Sequence, residues 1–166
     1  MEVNGWRLFQ HLLFRDQYDK LLKQAAHIKA QHPGDYQSHK TVKLLAKISD
    51  LILDEIPSDP RHAKFNLGNT LGTDYRHWKR AKFGRFRFFF RYRIRQKTGG
   101  TEEKVIVYVW VNDEETMRKE GDKNDPYALF AKGLHLGKPP DSFDALLKQS
   151  IEFESPESVQ EGNQDD

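Results

Sequence analysis

Apolar residues recur at helical spacing twice in the first third of the chain. Phe14, Tyr18, Leu21, Leu22, Ala25 and Ile28 follow a 3.6-residue repeat with charges between them. They predict a helix that stops at Pro33-Gly34. Leu44, Leu45, Ile48, Leu51, Ile52 and Ile56 predict a second, beginning near Asp35 and ended by Pro57 and Pro60. Both stripes read as faces turned to a core. Trp6, Leu8 and Phe9 suggest a short opening strand ahead of them.

Further along, the period changes from 3.6 to 2. Residues 76–83, 85–95 and 104–112 read as three strands, separated by turns at Gly84 and Gly99-Gly100. Such short connections require antiparallel pairing, and the third strand, the most apolar, is expected at the centre. Residues 57–73 read as an ordered loop anchored by Phe65, Leu67 and Leu71. After the sheet, Asn112 or Asp113 is a candidate cap, with Glu115 completing a capping box from Asn112, for a helix ending at Gly121. Asp125-Pro126 opens another helix, closed by Gly137 and Pro139-Pro140, and Ser142 caps a last short one. The expectation is an α+β domain over 1–151, with an antiparallel sheet of about four strands, two N-terminal helices and short C-terminal helices. Residues 152–166 are expected to be a disordered acidic tail.

Charge sharpens this picture. The chain of 166 residues carries 27 Lys and Arg against 25 Asp and Glu. Six of those acids (Glu152, Glu154, Glu157, Glu161, Asp165, Asp166) lie in the tail; the other 19 leave the rest of the chain at +8. From Arg76 to Lys97 there are ten Lys or Arg residues and no acid. Alternation along the second strand puts Arg85, Arg87, Phe89, Arg91, Arg93 and Arg95 on one face, and Phe86, Phe88, Phe90, Tyr92 and Ile94 on the other. Trp78, Arg80 and Lys82 share a face of the strand before it. Aligned across the hairpin, these would form a basic surface for a polyanion, with Trp78 and Phe89 offered to bases for stacking. The competing reading is a solvated outer face, although a face of one sign is costly without a counter-ion.

Several chemistries find no support. With no cysteine there is neither a disulfide nor thiolate catalysis. The seven histidines are scattered, none at a ligand spacing, so no metal or other cofactor is expected. Gly68 and Gly72 lack the Lys-Ser/Thr of a P-loop, and no nucleophile elbow is present. No apolar run approaches a membrane span and no targeting segment is visible, so a cytoplasmic protein without a membrane partner is expected. An arginine-rich surface suits metal-free RNA cleavage, in which arginines stabilise the charge of a phosphorane formed by 2′-hydroxyl attack. The same surface also suits a non-catalytic RNA-binding module. An autoregulatory DNA-binding protein is a third reading, although no basic recognition helix appears.

The strings HWKRAKFGRFRFFFRY and VYVWVNDEETMRKEGDKNDPYALFAKGLHLGKPP, with FNLGNTLG and the opening VNGW, resemble the YhaV toxins of type II toxin–antitoxin systems. The resemblance covers roughly residues 3–147. It implies a RelE-like fold, ribosome-dependent cleavage of messenger RNA, and neutralisation by a PrlF antitoxin with an AbrB-like DNA-binding domain, the complex binding operator DNA. It also implies that Arg80, Lys82 and Arg87 stand where such enzymes carry basic site residues. Arg80 and Arg87 would hold the scissile phosphate, and Lys82 would stabilise charge or move a proton. Where relatives place a basic residue and then a tyrosine after the last strand, this chain has Asn112-Asp113-Glu114-Glu115. Arg118, Lys123 and Tyr127 are candidates to fill that gap, with Asp113 either a base or a cap. Arg85, Arg91 and Arg93 are expected to contact RNA, Arg91 either in the site or on ribosomal RNA.

Overall fold

The computed structural model describes residues 1–155. A hairpin of β1 (Glu2–Val3) and β2 (Trp6–His11) leads into α1 (Leu12–Gln31). His11 caps that helix through Nδ1, which accepts the Leu13 N–H at 3.2 Å, while Nε2 meets Gln149 Oε1 at 2.8 Å. α2 (Lys40–Asp50) continues through a π-helical Leu51–Glu55 and closes as α3 (Ile56–Ser58). Then come β3 (Lys79–Phe83), β4 (Phe86–Gln96), β5 (Glu102–Val111), α4 (Pro126–His135), α5 (Phe143–Lys148) and β6 (Ser150–Glu152).

The sheet has six strands in the order β1-β2-β5-β4-β3, with β6 also pairing with β2. β3, β4 and β5 form the expected antiparallel meander, and β5 is central. The sheet is mixed rather than antiparallel throughout, because β2 lies parallel to β5. The short-connection rule speaks only for neighbouring strands, and β2 is joined to β5 by the helices and the β3–β4 hairpin. Six strands replace the expected four because β1 and β6 add short pairings along β2.

Helical layers cover both faces. On one side α1 and α2 bury Phe14, Ile48 and Ile52 against Leu8, Phe88, Phe90, Ile106 and Tyr108. The Phe88 and Tyr108 rings stack there, with centroids 5.4 Å apart. On the other side α4 and α5 bury Tyr127, Phe130, Leu134 and Leu146 against Trp78, Phe89, Val105, Val107 and Val109. Phe89 stacks on Phe130 at 4.1 Å. The register of β4 on β5 shifts between Phe89 and Phe90, so Val109 has no partner on β4. The 57–73 loop is anchored as expected, with Phe65, Leu67 and Leu71 all buried.

Two local expectations are corrected. The helix expected to end at Gly121 is only a 3-10 turn, Glu114–Thr116. Asp113 closes its cap with Thr116 rather than Asn112 with Glu115, and the chain then turns extended at Met117. That stretch has no apolar face to bury, and Arg118 N–H instead donates to the Arg85 carbonyl at 3.0 Å. Glu152 and Phe153, expected in the acidic tail, belong to the fold. Glu152 ends β6, pairing with Arg7 at 2.7 Å and with the N-terminal ammonium at 3.2 Å, and Phe153 packs on Tyr18 and Tyr108. The rest of that tail, 156–166, lies outside the described residues.

Candidate active site

The hairpin end of the β3–β4 face brings four of the expected site residues together, with Arg80, Arg87 and Arg118 around Tyr127. α4 begins at Pro126, pre-set for a first helical turn, and Asp125 caps it by accepting the Tyr127 N–H at 3.0 Å. This aims Tyr127 at the sheet. Its hydroxyl oxygen accepts Arg80 Nε at 2.8 Å and Arg87 Nε at 3.0 Å. With both acceptor positions used, the phenol keeps its own hydrogen to donate.

Arg80 is 6% exposed, deep for a cation. Its other bonds run to the carbonyls of Lys64 and Asn66, at 3.2 and 2.9 Å. Arg87 likewise donates to the carbonyls of Gly84 and Phe86, at 2.9 and 2.7 Å. Neither guanidinium meets a carboxylate among the described residues. Neutral acceptors satisfy their hydrogen-bonding geometry without cancelling their charge, so two positive charges converge at one point.

Arg118 completes the cluster, with its guanidinium carbon 5.1 Å from the centre of the Tyr127 ring. Asp125 Oδ1 holds it at 2.7 Å and also accepts Lys119 N–H at 2.7 Å. The hydrogen bond to Asp125 raises the Arg118 pKa above its ordinary value, against a smaller opposing effect of burial. Lys82 is the register partner of Arg87 and is exposed beside it. Arg85, also exposed, donates to the Arg118 carbonyl at 3.2 Å. Lys123 lies exposed on the turn before α4, with no hydrogen bond into the cluster. Asp113 acts as a cap: Oδ1 accepts Glu115 N–H at 3.0 Å and Thr116 Oγ1 at 2.8 Å.

Four other expected RNA contacts on this face are covered or already engaged, Phe89 beside Arg80 and the rest toward the other end. Trp78 and Phe89 are fully buried and cannot stack on a base. Alternation placed them correctly, but α4 covers that side of the sheet. Arg91 is half-buried between the Trp78 and Phe143 rings, 5.2 Å from each, and donates to the Asp141 carbonyl. Burial lowers its pKa, opposed by the charge of Asp141. Arg93 pairs with Asp144 at 2.7 Å and lies over Phe143. Neither is an open phosphate contact in this arrangement.

Sequence reasoning read Asp125 only as a cap and missed it as the anchor of Arg118. It also passed over Asp141 and Asp144 as the acids that answer the far arginines. The histidines are less scattered than their spacing implied, since His77 and His135 flank Tyr75. No group of three or more His, Cys, Asp or Glu residues among the described residues is arranged to hold a metal. A cleft on the opposite face, lined by Gln17, Leu21, Leu44, Val111 and Glu115, has no comparable convergence of cations.

Residues 8–151 match a family described as a toxin with endonuclease activity, of a toxin–antitoxin system. The chain belongs to the YhaV toxin family. "Ribonuclease toxin YhaV" of Escherichia coli strain K12 is 38% identical over 153 residues, covering 90% of this chain and 95% of that protein. "Toxin YhaV" of Escherichia coli O157:H7 matches with the same identity and coverage. No solved structure matches. The family thus supplies an endonuclease activity and an antitoxin as partner, and no helix among the described residues is long and apolar enough to cross a membrane.

Proposed function

We propose that this toxin cleaves messenger RNA on the ribosome, by a metal-free route centred on Arg80, Arg87, Arg118 and Tyr127. The observation that carries the proposal is the pair of guanidiniums sharing the Tyr127 hydroxyl with no acid partner among the described residues. Such a pair is set for a phosphodiester, whose charge rises when the 2′-oxygen attacks phosphorus. The new 2′-O–P bond forms as the P–O5′ bond breaks, leaving a 2′,3′-cyclic phosphate and a 5′-hydroxyl. The 2′-hydroxyl loses its proton and the 5′-oxygen gains one.

Arginines stay protonated and cannot move those protons. Tyr127 of this set and the neighbouring Lys82 exchange them, Lys82 only after losing its own. Placement of the strand by the ribosome compensates for so sparse an acid–base set, since orientation alone supplies roughly 7 kcal/mol or more of a barrier. The α1 and α2 pair on one sheet face and the β3–β5 meander support a RelE-like fold. A PrlF-type antitoxin would neutralise the toxin by covering the cluster, the complex binding operator DNA, and the ribosomal substrate places the work in the cytoplasm.

The test is primer extension on a translated message, with a matched sample of naked RNA. Wild type should cut only the ribosome-bound message and leave 5′-hydroxyl ends, and Arg87→Ala should not cut. Wild-type cleavage by Arg87→Ala would remove the cluster from the chemistry, and equal cutting of naked RNA would remove the ribosome.

A further inference from the structure

Beyond the far end of α4, Asp141 presents a fixed, half-used carboxylate beside exposed rings. Trp78 Nε1 donates to Asp141 Oδ1 at 2.8 Å, and His77 Nε2 meets the same oxygen at 2.6 Å. Oδ2 carries no hydrogen bond among the described residues. Burial pushes the Asp141 pKa up, but the bonds from Trp78 and His77 and the nearby charges of His77 and Arg91 outweigh it and keep the group a carboxylate. Around it stand His77 and His135, both exposed, with Tyr75 between them. The ring centroids of Tyr75 lie 6.5 Å from His77 and 5.7 Å from His135, and the Tyr75 hydroxyl is 3.5 Å from His135 Nδ1.

We propose that Asp141, His77 and Tyr75 form a nucleobase subsite, which takes a base bearing an amino group from the strand that the arginine cluster cuts. A single-stranded base needs a π-face to stack on and a hydrogen-bond partner at its edge. The exposed His77 ring and the half-buried Tyr75 ring supply the first. Asp141 Oδ2 supplies the second, as an acceptor for the amino N–H of guanine, adenine or cytosine; the one edge N–H of uracil lies between two carbonyl oxygens, which repel a carboxylate. The subsite lies on the same sheet face as the cluster. His135 follows Tyr127 by eight positions on α4, which separates the two ends by about 12 Å. A base there belongs to a nucleotide near the cut, not to the one cut. A fastening role alone, tying the segment after α4 to the entry of β3, uses Oδ1 and leaves Oδ2 and the rings idle.

This inference rests on the reading of the chain as a ribonuclease, and one assay separates the two. Cut sites are mapped by sequencing a translated library with randomised codons, for wild type, Asp141→Asn, His77→Ala and Arg87→Ala. In Asp141→Asn the amide oxygen keeps Trp78 and His77, and the amide nitrogen replaces the free acceptor with a donor. At one position near the cut, preference for amino-bearing bases should fall by at least about fivefold. Total cleavage should stay within about threefold, because the arginine cluster is untouched. His77→Ala, which keeps the Trp78 bond, should flatten the same preference. Unchanged preference in both variants, or equal loss at every site with a lower melting temperature, would overturn the subsite. Wild-type cleavage by Arg87→Ala would overturn the catalytic reading, while the Asp141→Asn shift would still report on this one.

Discussion

The two ends of the arginine row on β4 differ in what answers their charge. Arg87, with Arg80 across the hairpin, meets a phenol oxygen and main-chain carbonyls. Arg93 meets the Asp144 carboxylate, and Arg91 lies between aromatic rings with Asp141 beside it. Carbonyls orient a guanidinium and leave its charge in place, whereas a carboxylate cancels it. Among the described residues, Arg80 and Arg87 at the hairpin end therefore keep their charge uncancelled, whereas Arg93 does not, although both ends belong to one strand face.

Arg87→Ala gives the largest expected effect. Removing one charged donor from a developing oxyanion costs about 100- to 1,000-fold in rate. RNA cleavage should fall by that order, with an unchanged circular dichroism spectrum. Tyr127→Phe comes next. It keeps the ring against Phe89 and takes away the oxygen that two arginines share, so cleavage should drop about 10- to 100-fold. If Tyr127→Phe is fully active, the shared phenol is structural and the contrast between the ends is one of charge alone.

Asp125→Ala tests how the hairpin end is held. It removes the α4 cap and releases Arg118, and chemical denaturation should show a loss of about 2 kcal/mol. At the other end, Arg93→Gln should leave cleavage within about twofold, as befits an ion pair at the surface. A hundredfold loss there would collapse the comparison, since the neutralised end would then be as important as the open one.

The smallest effect lies away from the face. Burial lowers the His11 pKa, partly offset by the bond to Gln149, so folding favours the neutral ring. A group with a depressed folded pKa adds stability above its ordinary value and loses it as pH falls. The melting temperature should decline as pH drops below 6.5, the ordinary value for histidine. His11→Asn, which keeps a capping oxygen, should flatten that dependence.

Much of the fold was legible because its signals are local. Alternation sorted Phe88, Phe90, Tyr92 and Ile94 of β4 to one observed face and Arg87, Phe89, Arg91 and Arg93 to the other, and Pro33-Gly34, Gly84, Asp125-Pro126 and Ser142 mark real boundaries. The convergence of side chains at the candidate site was legible in part. Arg80, Arg87, Arg118 and Tyr127 do converge, and Lys82 lies beside Arg87. Trp78, Phe89, Arg91 and Arg93 share that face but point under α4 and α5. Periodicity reports which side chains share a face and carries no information about what later covers it.

Composition and local pattern thus determined the elements, the meander, the pairing of an arginine face with an aromatic one, and the family. Tertiary structure decided the parallel pairing of β2 with β5, the burial of Trp78 and Phe89, and the partner of each arginine. These depend on contacts between residues far apart in the chain, such as Arg80 with Tyr127 and Trp78 with Asp141. A short-range repeat records neighbours along the chain, whereas the charge left open for a ligand depends on which distant groups the fold brings to it.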